Sequence, residues 1–173
     1  PALSSAASDV YKRQTSTCAS HLGGLLYLVR RTRPECYYAV GSLCTHLHKW
    51  DLACDRRLCR IFGYLKAADG YGIVFSIGGE QRGWHPVLRA MSDSDLGGCL
   101  DTGRSTSAWF VFFTNCDDPA NVTPEFFLPI DWGSRRQTVT SISSTEAEVV
   151  AHTEMLMKSA LPTLSLIEEY YEE

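Results

Sequence analysis

The sequence predicts an α+β (mixed α/β) protein, with a basic helical first part followed by an antiparallel sheet and a returning helix. Three observations carry this. Apolar residues recur at helical spacing as far as about residue 66. Strand-like runs between turn residues then take over, and Ser143-Ser144-Thr145-Glu146 reads as a helix start, a hydroxyl cap followed by an acid in the first turn. Strands followed by a helix suggest an antiparallel α+β beginning, with any further strands lying beyond Glu173.

The 173 residues suit one domain, or one small domain with a piece of another, and an apolar fraction of 45% supports a packed core. No apolar run approaches the roughly 20 residues that span a bilayer, so no membrane partner is expected. The net charge of −4 conceals an asymmetry. Residues 1–66 hold ten Lys/Arg against four Asp/Glu, and residues 67–173 hold six against sixteen. A basic half can grip phosphates, whereas an acidic half calls for counter-ions, metals or a structural role. Seven scattered cysteines without a CxxC pair point to a reducing, intracellular setting.

Residues 1–14 are expected to lie outside the fold. They contain no apolar signal core, and Asp9–Gln14 read like a translated sequencing adapter. From Cys18 to Arg31, Leu22, Leu25, Leu26 and Val29 predict an amphipathic helix, broken at Thr32-Arg33-Pro34. Cys36–His48 and Asp51–Leu65 predict two more, the last projecting Arg56, Arg57 and Arg60. Residues 15–68 thus form a helical module. After the Asp69-Gly70 turn, Tyr71–Ser76 is expected as a strand, and 69–88 as a connection. Further strands are expected at Pro86–Met91, Ser107–Thr114 and Glu125–Trp132, with turns at Gly78-Gly79 and Asp117-Asp118-Pro119. The last helix should be interrupted at Leu161-Pro162. Asp93 and Asp95 follow the first of these three strands, where a rigid strand end projects carboxylates suited to metal binding.

Two ordered sets of motifs carry a resemblance. Leu26-Tyr27-Leu28, Thr32-Arg33-Pro34, Ala39-Val40 and Arg60–Lys66 resemble the end of the reverse transcriptase in copia-type LTR retrotransposon polyproteins. Ser92-Asp93-Ser94-Asp95, Gly103–Ser107, Trp132–Gln137 and Ser143–Glu148 are similar to the N-terminal part of the ribonuclease H domain that follows it. The match covers about residues 18–160. Leu96, Ala108, Gly133 and His152 depart from the pattern and affect packing more than chemistry.

The resemblance implies a ribonuclease H-like sheet over 89–173, incomplete at its C-terminus, in a protein that cuts RNA in RNA–DNA hybrids. It implies Asp93 and Glu146 as catalytic ligands of two Mg²⁺ (or Mn²⁺) ions, with Glu148 and Asp95 secondary. Two further carboxylates would lie beyond residue 173, which makes the segment alone inactive. Mg²⁺ takes hard oxygen ligands, and a pair of ions activates water while stabilising the leaving oxygen. Arg104, Ser105, Thr106, Arg135, Arg136, Arg56, Arg57 and Arg60 are the expected nucleic-acid contacts. The other expected partner is the rest of the polyprotein, in a cytoplasmic particle or nucleus of a eukaryotic host. The competing reading is a non-catalytic segment that binds nucleic acid or packs within the polyprotein.

Three other patterns fail on chemistry. Asp101-Thr102-Gly103 copies an aspartic-protease signature, but Arg104 stands where a small residue is needed. Gly98 to Ser105 mimics a P-loop with an aspartate where phosphate would sit. Cys44, His46, His48, Cys54 and Cys59 suggest zinc, yet residues two apart on a helix face different ways.

Overall fold

The computed structural model describes residues 5–76, 87–99, 101–114 and 127–172, and for 5–16 and 171–172 the backbone alone. The chain divides into two compact units, Pro1–Ile73 and Val74–Glu173.

The first unit is helical: α1 (Ser5–Arg31), α2 (Tyr37–Cys44) and α3 (Leu52–Ala67). Its core is written in three matching stripes. Cys18, Leu22, Leu25 and Val29 from α1 meet Cys36, Val40 and Leu43 around α2, and Cys54, Leu58 and Ile61 from α3. Spacings of three and four keep each set on one helical face. The backbone of α1 begins at Ser5, upstream of the expected start at Cys18, so helix extends into residues 1–14. α2 is shorter than expected. Thr45 Oγ1 donates to the Ser42 carbonyl at 2.8 Å, and His46 Nδ1 meets the same oxygen at 2.9 Å. These local bonds draw the chain out of the helix before a short 3₁₀ turn at Leu47–Lys49. Asp51 caps α3 by accepting the Cys54 N–H at 2.8 Å, which holds its carboxyl below the usual range. Arg33 secures the other end of α3, donating Nη1–H to the Ala68 carbonyl at 3.1 Å while Nε pairs with Glu35 at 2.6 Å.

The second unit is a three-stranded antiparallel sheet, order β1-β2-β3, with β1 at Val87–Asp95, β2 at Thr106–Thr114 and β3 at Phe127–Arg136. β1 pairs with β2 along its whole length, so the strand continues past its expected end at Met91 through Asp93 and Asp95. The register of β2 with β3 shifts between Val111 and Phe112. The expected strand Tyr71–Ser76 is not formed. Only Ser76 pairs, with Phe127, while Tyr71 and Val74 are three-quarters exposed. β-branched and aromatic composition without a partner edge does not make a strand. The expected turns at Gly78-Gly79 and Asp117-Asp118-Pro119, and Pro86, Glu125 and Phe126 of the expected strands, lie outside the described residues.

Helix α4 (Ser144–Met155) packs on β1 and β2 through Ala147, Ala151 and Met155, against a fully buried Val111. The interruption expected at Leu161-Pro162 takes another form. A π-helical turn over Leu156–Ala160 leads directly into α5 (Leu161–Glu172). Pro162 has no N–H to return to Lys158, and widening the preceding turn accommodates it. The mixed helix and antiparallel sheet make this an α+β chain. No described helix is long and apolar enough to cross a membrane.

Candidate functional site

Strand alternation and cross-strand register sort the expected site residues onto two faces of the sheet. Ser92 shares a 3.3 Å hydrogen bond with His152 Nδ1 of α4, so even-numbered β1 residues face the helix. Ser94, Ser107 and Arg135 form one cross-strand row on that face. Asp93 therefore projects from the opposite face, where it is exposed and stands in a row with Ala108 and Ser134. The next row on that face is Asp95, Thr106 and Arg136. Two carboxylates, two hydroxyls and one guanidinium thus share the loop end of one sheet face. Further along it, Phe110, Phe112, Phe127 and Trp132 form an aromatic cluster with centroids 5.2 to 6.0 Å apart.

Arg135 and Arg136, both expected as nucleic-acid contacts, point to opposite faces because they are neighbours on a strand. Arg136 turns toward the β1–β2 loop, where its Nη1 donates to Cys99 Sγ at 3.6 Å. That loop is tied by Cys99 N–H to the Arg104 carbonyl, and by Gly103 N–H back to Cys99. Gly97 and Gly103 both adopt positive φ to make the bends. Hydrogen bonds from Thr102 and Arg136 lower the Cys99 thiol to about 7.

Ser105 corrects an expectation. It is fully buried, and its hydroxyl accepts the Gly97 N–H at 3.1 Å, so it braces the loop and has no surface to offer a phosphate. Thr106 and Arg104 are half-buried. Arg56, Arg57 and Arg60 are exposed on α3 in the other unit.

Glu146 sits in the first turn of α4. Ser143 Oγ accepts the Glu146 N–H at 3.2 Å, and Glu146 Oε2 accepts the Ile142 N–H at 2.8 Å. Glu146 thus reaches back one residue past the Ser143 cap, which occupies one carboxylate oxygen and leaves the other available. Asp93 lies on the sheet face opposite Ser92, and Glu146 lies in the first turn of α4. Among the described residues no three Asp, Glu, His or Cys side chains converge as a metal site, the Cys44 to Cys59 segment included. The carboxylates of the described residues are therefore not by themselves the converging set that a pair of Mg²⁺ ions needs.

A residue missed by sequence reading holds the site's frame. Gln137, just beyond β3, is buried and donates from Nε2 to Ser107 Oγ at 3.1 Å and to the Ala147 carbonyl at 2.9 Å. Its Oε1 accepts from Ser141 at 3.2 Å, and its backbone N–H donates to the Ser105 carbonyl at 2.8 Å. The sequence signal is faint: one amide residue between two arginines and a hydroxyl-rich turn.

An uncharacterized mitochondrial protein of Arabidopsis thaliana is 33% identical over 146 residues, covering 84% of this chain and 53% of that protein. A retrovirus-related Pol polyprotein from transposon TNT 1-94 of Nicotiana tabacum is 27% identical over 158 residues, 88% of this chain and 10% of the polyprotein. A secreted RxLR effector protein of Plasmopara viticola is 28% identical over 146 residues, 84% of this chain and 90% of that protein. This chain therefore spans about half the first relative and a tenth of the second. No family model and no solved structure matches it. Likeness to several transposon-encoded Pol polyproteins over most of its length makes this chain a homologue of a segment of retrotransposon Pol polyprotein.

Proposed function

We propose that this chain is the segment of such a polyprotein joining the helical end of a reverse transcriptase to the start of a ribonuclease H domain, and that the longer protein hydrolyses RNA in RNA–DNA hybrids. The observation that carries the reading is the placement of Asp93. It stands exposed on a strand paired with β2 along its whole length, with Asp95, Thr106, Ser134 and Arg136 on the same face. Such an array presents a carboxylate from a rigid element and a guanidinium for a phosphate beside it. Asp93 and Glu146 are the residues of this chain proposed to bind Mg²⁺, with carboxylates from elsewhere in the polyprotein completing the set. The proposed partner is an RNA–DNA hybrid, recognised by backbone shape and 2′-hydroxyls. The exposed Arg56, Arg57 and Arg60 of α3 are proposed to meet its phosphates.

The test is Mg²⁺- or Mn²⁺-dependent cleavage of a labelled hybrid by this chain and by a form extended through the following polyprotein sequence. Asp93→Asn serves as the control in each. Cleavage by the extended form that disappears with Asp93→Asn supports the reading. Cleavage unaffected by Asp93→Asn, or none in the extended form, overturns it. Glu146→Gln adds a separate readout. The amide oxygen still accepts from Ile142, so a loss of cleavage with unchanged folding belongs to the carboxylate rather than to the cap.

A further inference from the structure

Both donors and the acceptor of the Gln137 side chain are engaged inside the protein. Nε2 donates to Ser107 Oγ and to the Ala147 carbonyl, and Oε1 accepts from Ser141. The residue is 1% exposed, so it has no surface to offer a ligand. What it can do is hold other groups in place. The bond to Ala147 is not one that α4 needs for its own ladder. Ala147 lies inside the helix, where a carbonyl accepts from the N–H four residues on. The Gln137 bond is a second one to that oxygen, and it ties the helix to the end of β3. The apolar contacts of α4 define its location less sharply. The helix meets the sheet through Ala147, Ala151 and Met155. Alanine methyls let a helix come close but give it little to interlock with, and a methionine side chain adapts to the space it meets. A directional hydrogen bond fixes what such a contact leaves free, the shift and rotation of the helix along the strands.

Each end of this brace lies beside one of the proposed metal-binding acids. Ala147 directly follows Glu146. Ser107 pairs across the sheet with Ser94, and its neighbour Ala108 pairs with Asp93. We propose that Gln137 is a positioning residue, which sets where the first turn of α4 sits on the sheet and hence where Glu146 stands relative to Asp93. This rests on the reading of those two acids as the ones this chain supplies to hybrid hydrolysis. Gln137 acts through them and touches neither substrate nor metal. Removing a group that orients a ligating side chain typically costs about 10- to 100-fold in affinity or activity. Misplacing a reacting group by about 1 Å has an effect of similar size.

The test compares Gln137→Met, which keeps the length of the side chain but none of its polar bonds, with Ser141→Ala, which removes only the bond to Oε1. Ser107→Ala, which takes away the β2 end of the brace, is a milder second variant should Gln137→Met fail to fold. In this chain, hydrogen exchange is followed residue by residue, without metal or nucleic acid. The amides of residues 147–151 are expected to exchange about tenfold faster in Gln137→Met, while those of Val111 and Phe112 in β2 hold their rates. Ser141→Ala should leave the ratio of the two elements as it is. In the form extended through the following polyprotein sequence, Gln137→Met should lower kcat for the hybrid about 10- to 100-fold with KM unchanged. Ser107→Ala should shift kcat in the same direction, and Ser141→Ala should leave it alone. A brace that serves stability alone would instead loosen α4 and β2 together and leave kcat of the folded protein as in wild type. Either of those results in a folded Gln137→Met or Ser107→Ala protein, with wild type active, overturns this proposal and spares the hydrolysis reading. An extended wild-type form that cleaves no hybrid overturns both.

Discussion

Gln137 Nε2 and the Ala147 carbonyl, 2.9 Å apart, join the end of β3 to the first turns of α4. The same nitrogen also donates to Ser107, so one buried amide ties strand, turn and helix. Gln137→Ala deletes three side-chain hydrogen bonds and leaves buried groups on Ser107 and Ala147 without their partner. A loss of about 2–4 kcal/mol in unfolding free energy is expected from denaturant titration. Gln137→Glu keeps the shape but removes the donor, and should be about as damaging at neutral pH. A loss below the range of ordinary surface substitutions, about 0.5 kcal/mol, would contradict this role.

The parts of this fold that were legible in the sequence are those where one face is buried and the other is not. Cys18, Leu22, Leu25 and Val29 announce α1 because every member of the stripe meets the same core. The Ser143 cap was equally plain, since its chemistry is local. Tyr71–Ser76 misled because strand composition says nothing about whether an edge exists to pair with. Gln137 entered only as the end of the Trp132–Gln137 motif, and its role was not legible because burial of a polar residue depends on partners 10 and 30 positions away. The opposed directions of Arg135 and Arg136 follow from strand periodicity alone. What the chain could not reveal was on which face of the sheet Asp93 stands, because that depends on which face α4 covers.

Gly133 is opposite Trp109 in the β2–β3 ladder, and a Cβ built on it runs into the indole ring. The ring has little freedom to withdraw, because its Nε1–H donates to Asp131 Oδ2 at 2.9 Å. Gly133→Ala is therefore expected to cost about 1–3 kcal/mol by overpacking and to perturb the near-ultraviolet signal of Trp109. Combining it with Trp109→Leu should cost less than the two single losses added together, since the clash has gone. Strict additivity would place the effect elsewhere.

The α4 cap separates two roles for one acid. Ser143→Ala removes the acceptor for the Glu146 N–H and is expected to lower stability by about 1 kcal/mol. Glu146→Ala should cost a similar amount by freeing the Ile142 N–H, whereas Glu146→Gln retains that bond. Thermal unfolding of the three variants checks the order. A Glu146→Gln form as unstable as Glu146→Ala would show that charge at the helix start, rather than the capping bond, carries the effect.

Cys99 is expected to be the most readily alkylated of the thiols at neutral pH when compared with Cys36, Cys44 and Cys54. Hydrogen bonds from Thr102 and Arg136 favour its thiolate and bring its pKa to about 7, while burial pushes the other three thiols up. Iodoacetamide labelling followed by peptide mapping should give a Cys99 rate that rises with a midpoint near pH 7. Arg136→Gln should move that midpoint upward, toward the ordinary value of 9.0. The sign for stability follows from the same shift. A pKa lower in the folded than in the unfolded chain adds stability that is complete above about pH 9 and disappears as pH falls through about 7. Arg136→Gln should therefore weaken the chain more at pH 9 than at pH 6, and an equal loss at both would remove the Arg136–Cys99 bond as its cause.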